Sequence, residues 1–255
     1  MTLVDDNGLY TFKSKGRLCQ LEDLLKGESH PQKTGIGHTR WATHGIPSNL
    51  NSHPHTNAKN TISIVHNGII ENYQAIKKEL IRQGYPFVSQ TDSEVIVHLI
   101  GKFVDEDGLS VLEALKKSLH IIQGSYAFAL VDSQAPDTIY VAKKESPMII
   151  GHCAYGSFCA SDIPAVLEYT KDILSLEDEQ IAVLKADKIQ VYDFQGELKK
   201  QKWMHIPYDL QAAQKGGYDT FMEKEIHEQP YVLSETLRGR VDNDVRMDEL
   251  KELNI

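Results

Sequence analysis

An α+β fold built on antiparallel strands is predicted by three observations. Strand-like runs crowd the middle and late chain, at Tyr126 to Val131, Thr138 to Ala142, Met148 to His152, Ser157 to Ala160, Ile181 to Leu184 and Lys188 to Asp193. The links between them are short and carry turn residues, as at Ala186-Asp187 and Gly196. The longer helical patterns are grouped together before these strands, between Tyr73 and Ile122, and do not alternate with them one by one. A doubly wound sheet needs that alternation, so it is excluded.

Along the chain, Gly8 to Lys13 mixes apolar and polar residues as a strand does. Leu18, Leu21, Leu24 and Leu25 then recur at helical spacing. Residues 35 to 66 hold five of the eleven histidines (His38, His44, His53, His55 and His66) and show little helical periodicity. Gly45, Pro47 and Pro54 punctuate this stretch, which reads as loop between strands. Ile62 to Val65 is a short strand ending at His66-Asn67-Gly68. A helix with Tyr73, Ile76, Lys77 and Leu80 on one face is stopped by Gly84. Thr91-Asp92-Ser93-Glu94 has the spacing of a capping box ahead of Val95, Ile96, Leu99, Ile100 and Phe103. A third helix is expected over Ser110 to Ile122, then a hairpin across a Pro-containing loop, and a short helix over Asp162 to Tyr169. Tyr218 to Ile255 is charged, helical in composition and reads as a connector.

The 255 residues suit one large or two small domains, and 41% hydrophobic with 25% charged residues is ordinary for a globular chain. A net charge of −9 argues against a nucleic-acid binder. No apolar run approaches the roughly 20 residues of a membrane span, and no signal-peptide pattern is visible at the start. Three cysteines (Cys19, Cys153 and Cys159) without a CxxC pair suggest neither a disulfide framework nor a zinc site. A reducing, cytoplasmic setting is the simplest reading.

Four strings carry chemistry: Gly37-His38-Thr39-Arg40-Trp41-Ala42-Thr43-His44-Gly45, Asn51-Ser52-His53-Pro54-His55, Val65-His66-Asn67-Gly68-Ile69-Ile70-Glu71-Asn72-Tyr73, and Ser89-Gln90-Thr91-Asp92-Ser93-Glu94. Arg40 beside Trp41 offers a fork of donors for a carboxylate, or a surface ion pair stacked on the indole. Asn67-Gly68 can present an amide and a backbone N–H to one oxygen, or be a plain turn. Asp92 can hold an ammonium group, or stabilise a helix N-terminus, or both. The histidines have no paired metal-ligand spacing, so hydrogen-bonded structural imidazoles are favoured over a metal site.

Together these strings resemble the glutamine amidotransferase family, in particular the glutaminase domains of the glutamine–fructose-6-phosphate aminotransferases (isomerizing). The resemblance runs from about Gly8 to Gly239 and includes Gly124-Ser125-Tyr126, Lys144-Glu145-Ser146-Pro147, Ala160-Ser161-Asp162 and the connector from Met222 to Pro230. It implies an N-terminal-nucleophile hydrolase fold, a four-layer αββα sandwich of antiparallel sheets, over residues 1–217, with 218–255 leading towards sugar-isomerase domains. It implies that Arg40 binds the α-carboxylate of glutamine, that Thr43 and His44 line the same pocket, and that Asp92 holds the α-ammonium. Asn67 and the Gly68 N–H would form the oxyanion hole. Trp41 would sit on the loop between the glutamine site and an ammonia path, and His53 would support the loop. No metal or organic cofactor is implied.

The family's nucleophile is an N-terminal cysteine in a Cys-Gly-Ile start, and this chain has none there. By the resemblance the first strand and first helix are missing, so an unpaired edge in the central sheet and a partner-dependent or poorly soluble protein are expected. Hydrolysis of glutamine, supplying ammonia for conversion of fructose 6-phosphate to glucosamine 6-phosphate, is the implied parent reaction. The parent would be a homodimer, fructose 6-phosphate would bind only through absent domains, and this chain would be inactive alone. The alternatives are a non-catalytic glutamine-binding or regulatory fragment, and an amidotransferase domain serving phosphoribosylamine or asparagine synthesis.

Overall fold

A computed structural model describes residues 1–27, 29–40, 45–207 and 216–237 of the chain. Two compact units are present, Met1–Ile206 and Pro207–Ile255. In the first, a six-stranded antiparallel sheet is the central layer. Its order is β12 (Ile189–Asp193), β11 (Gln180–Leu184), β7 (Ala135–Lys144), β6 (Gly124–Asp132), β5 (Ile62–Ile70) and β4 (His55–Thr56).

β6 shows why this sheet is central. Its alternate residues Tyr126, Phe128 and Leu130 join one core cluster, while Ala127, Ala129 and Val131 join the other. Side chains along a strand point to opposite faces in turn, so both faces of β6 are covered. The larger side chains meet the helices α2 (Tyr73–Arg82), α3 (Ser93–Asp107) and α4 (Val111–Leu119), through residues such as Leu80, Ile96, Ile100 and Leu115. The small ones meet a second β layer, through Val4, Ile36, Met148, Ile150 and Leu174.

That second layer is divided. One part is a three-stranded sheet, β2 (Gly8–Thr11), β1 (Thr2–Asp5) and β3 (Thr34–Ile36), with β1 at its centre. The other is four-stranded, in the order β13 (Trp203–His205), β10 (Asp172–Ser175), β8 (Ile149–Cys153) and β9 (Gly156–Ala160). β3 and β9 each end their sheet. Residues of both line a cavity of about 1180 Å³ that also reaches Val65, Asn67, Ala127 and Ala129 of the central sheet. β4 and β12 end the central sheet, while β2, β3, β9 and β13 end the two sheets of the second layer. On the other side of β8, Val166 and Thr170 stand over Gly151, so the 3-10 turn Ile163–Ala165 and its continuation cover that face. α1 (Leu18–Leu25) buries no residue. In the second unit, α5 (Phe221–Leu237) holds Pro230 inside it. No helix among the described residues is long and apolar enough to cross a membrane.

Several local expectations are corrected. The strand expected to stop at Val65 continues to Ile70, paired with β6 from Ile62↔Asp132 to Ile70↔Gly124. Asn67-Gly68 is therefore inside a strand and is not a turn. Its turn preference is local, and nine paired positions outweigh it. The Thr91 to Glu94 capping box does not form: α3 starts after Asp92 without a side-chain cap bond. Thr91 Oγ1 instead lies 3.0 Å from His55 Nε2, and the Glu94 carboxylate accepts from the Val88 and Ser89 N–H groups and from Ser89 Oγ. The true capping box is Ser110 with Glu113, opening α4. The helix expected over Asp162 to Tyr169 is only the 3-10 turn Ile163–Ala165, opened by the Asp162 side chain, which accepts from the Ile163 N–H. Pro136 sits in β7, beside a register shift at Val131/Asp132, and not in a loop. Thr2–Asp5 is a strand that the sequence pattern does not disclose.

Between β4, β5 and the start of α3 lies a seam of buried imidazoles. Burial lowers His66 to about 4 and His55 to about 3. An imidazole in the unfolded chain titrates near 6.5. Between these values the unfolded state binds more protons, so the contribution to stability is complete above about pH 6.5 and is lost as pH falls through about 4 for His66 and about 3 for His55. The urea midpoint is expected to drop across that window and to drop less in His55→Asn; a flat midpoint contradicts the neutral seam. Leu115, with no exposed surface, tests the helix-side core: Leu115→Ala should lower unfolding free energy by about 2–5 kcal/mol. Leu18→Ala on α1, where Leu18 is 58% exposed, should change it by less than about 0.5 kcal/mol.

Candidate functional site

Three segments of separate origin meet at one small cavity. The first leaves β3 and carries His38, Thr39 and Arg40. The second is the far half of β5, with His66, Asn67 and Gly68. The third is the entry to α3, with Thr91, Asp92 and Ser93. These residues and His53 line a cavity of about 300 Å³. It shares His38, Thr39, His66 and Asn67 with the larger cavity of the second layer. The size is at the small end of ligand pockets.

The β5 period sets the chemistry. Ile64 and Ile70 face the helices and Val65 faces the second layer. His66 therefore points towards α3, and Asn67 towards the segment that follows β3. Gly68 breaks the regular strand with φ +123°, and a Cβ there would stand 2.1 Å from the Ser125 carbonyl oxygen. No other residue fits that close approach between β5 and β6.

Asp92 is 3% exposed, and its Oδ2 accepts from the Ile70 N–H at 2.8 Å. It also lies at the N-terminus of α3, where the helix dipole favours negative charge. Arg40 donates through Nη2 to the Gly45 carbonyl at 3.0 Å and through Nη1 to the Ile46 carbonyl at 3.5 Å. Burial lowers its pKa, and the nearby Asp92 carboxylate opposes that. A guanidinium stays charged all the same. One cavity thus has a cation and an anion on its wall, beside an amide and a glycine N–H.

The imidazoles behind them are linked by hydrogen bonds. His53 Nδ1 accepts from the His66 backbone N–H at 3.2 Å, so its proton is on Nε2, 3.4 Å from Ser93 Oγ. Ser93 Oγ lies 2.8 Å from His66 Nδ1. With the Ser93 proton directed to His66 Nδ1, the proton of His66 is on Nε2, a buried atom without a hydrogen-bond partner. His38 stacks on His53 with centroids 4.4 Å apart and planes 19° apart. Burial lowers His53 well below its ordinary value, with the other imidazoles adding to the effect. Burial also lowers His38, against the effect of its hydrogen bond to Asn67 Oδ1. Among the described residues no group of His, Cys, Asp and Glu is arranged to hold a metal ion.

Of the residues singled out in sequence, Arg40, His53, Asn67, Gly68 and Asp92 come together here. Trp41, Thr43 and His44 lie outside the described residues. His38, His66 and Ser93 were not given roles from sequence. The signal for His38 was its place in the same short string as Arg40, two residues before it. No cysteine lines the small cavity. Cys19 is exposed on α1, Cys153 ends β8, and Cys159 in β9 has its thiol pushed up to about 12 by burial. Cys159 is thus a thiol and not a thiolate at neutral pH.

Comparison with known proteins agrees with this geometry. Residues 38–168 match the family described as "Glutamine amidotransferase domain". Among curated proteins, the chain is 45% identical over 253 residues to glutamine–fructose-6-phosphate aminotransferase [isomerizing] of Clostridium tetani, covering 98% of this chain and 41% of that protein. The Aquifex aeolicus enzyme of the same name is 46% identical over 239 residues, 94% of this chain and 40% of its own length. The chain therefore spans about two fifths of the length of the curated relatives it matches. Among solved structures, the glutamine phosphoribosylpyrophosphate amidotransferase of B. subtilis, complexed with ADP and GMP, superposes with a TM-score of 0.60. It is 21% identical and covers 78% of this chain and 43% of that one, which shows the shared N-terminal-nucleophile hydrolase fold. The layers, the cavity and the matched residues lead to one conclusion: the chain belongs to the glutamine amidotransferase domain family.

Proposed function

We propose that the 300 Å³ cavity binds L-glutamine and that the chain is the glutaminase part of a glutamine–fructose-6-phosphate aminotransferase. One observation carries the reading: Arg40 and Asp92 line the same cavity as Asn67 and Gly68. A free α-amino acid has a carboxylate for Arg40 and an ammonium for Asp92. The side-chain carbonyl oxygen of glutamine then meets the Asn67 amide and the Gly68 N–H. Those donors would stabilise the oxyanion formed when a nucleophile attacks the amide carbon, and a donor of this kind is worth about 2.7–4 kcal/mol.

In the parent reaction a thiolate adds to that carbon, the C–N bond breaks, and the nitrogen leaves as ammonia with a proton from the site. Water then releases glutamate. None of the three cysteines lines the cavity, so this chain alone binds glutamine without hydrolysing it. Ammonia delivery to fructose 6-phosphate, pairing into a homodimer and a connector role for residues 218–255 belong to the same reading, supported by the identity to the curated relatives. So does a cytoplasmic setting, which the three free cysteines suit.

Calorimetric titration of the chain with L-glutamine tests the reading, with glutamate release assayed on the same sample. Saturable binding without release is expected. Asp92→Asn and Arg40→Ala should each weaken binding roughly ten- to a hundredfold, the worth of a charge-assisted bond. A folded chain that takes up no glutamine overturns the proposal.

A further inference from the structure

Asn67 Oδ1 lies 2.7 Å from His38 Nε2. An amide oxygen only accepts, so the His38 proton must be on Nε2. His38 Nδ1 is then a lone pair, and it is buried with no partner. Nothing at Nδ1 competes for the tautomer, and Nε2–H is the form a neutral imidazole favours when no partner decides, so the ring presents a donor to Asn67 independently of how the amide is turned. The ring itself is held by stacking on His53, which is held in turn by the His66 N–H and Ser93. A chain of contacts therefore runs from the first residue of α3, through two imidazoles, to the end of one amide.

The amide needs such an anchor. The oxygen and nitrogen ends of asparagine have nearly the same shape. Turned one way, Asn67 offers a donor to the cavity; turned the other way, it offers an oxygen that repels a carbonyl. Among the described residues Asn67 Nδ2 has no protein partner to choose between them, and His38 is the group at Oδ1. We propose that His38 is a positioning residue, whose Nε2–H fixes the Asn67 amide so that Nδ2–H₂ faces the side-chain carbonyl of glutamine. This rests on the glutamine reading above. A protonated His38 would still donate from Nε2, so the property that matters is the N–H and not the charge.

The test compares L-glutamine with L-norvaline, which keeps the α-carboxylate, the α-ammonium and the carbon chain but has no amide. Both are titrated into the intact chain and into His38→Leu and His38→Gln, with folding checked by circular dichroism. The wild-type chain should prefer glutamine. His38→Leu should lose that preference by roughly three- to tenfold while its affinity for norvaline is kept. His38→Gln, which retains an N–H donor of similar reach, should restore it. An unchanged preference in His38→Leu overturns the inference and leaves the glutamine reading standing. An equal loss for both ligands also overturns it, because His38 would then only shape the cavity. A wild-type chain that binds neither ligand overturns the glutamine reading and the inference together.

Discussion

The pairing of β5 with β6 is the constraint on which the rest depends. It runs unbroken from Ile62↔Asp132 to Ile70↔Gly124. Because side chains alternate along a strand, this register sends His66 into the helix layer and its neighbour Asn67 into the second β layer. A slip of one residue would exchange them and would also put Ile64 among the small residues of the β–β interface. Gly68 is what lets the ladder carry a functional kink: its φ is +123°, and β6 passes so close that no side chain could stand there. Register and kink together present an amide and a peptide N–H side by side on the wall of one cavity.

The electrostatics follow from what surrounds that wall. Asp92 is nearly inaccessible yet remains supported by the Ile70 N–H and by its place at the start of α3. Arg40 approaches from a different segment, tied to the carbonyls of Gly45 and Ile46. Behind these charges lie imidazoles kept neutral by burial. Neutral rings suit the position, since a buried imidazolium would oppose the Arg40 guanidinium. They also act as directional hydrogen-bonding parts.

The site is also open on one side to the second layer. The large cavity between β3 and β9 shares four residues with the small one, and both of those strands end their sheets. The wall of the small cavity is therefore shared: the central sheet and the start of α3 supply Asn67, Gly68 and Asp92, and the segment after β3 supplies His38 and Arg40. Cys159 lines the large cavity, but its buried thiol stays protonated and lacks the environment of a nucleophile.

Much of this was readable from the residues alone. Grouped helices and clustered strands disclosed the α+β class, because periodicity is a local property of the chain. Arg40, Asn67, Gly68 and Asp92 stood out because guanidinium, amide, glycine and carboxylate each suggest a definite chemistry. Local preference misled where a longer contact won. Asn67-Gly68 looks like a turn until β6 pairs across it, and Thr91 looks like a helix cap until His55 and Ser89 engage its hydroxyl. Thr2–Asp5 became a strand only because β2 and β3 flank it. The particular chain of contacts through His38, His53 and Ser93 belonged to the tertiary structure, since residues up to 40 positions apart meet only once β3, β5 and α3 have converged.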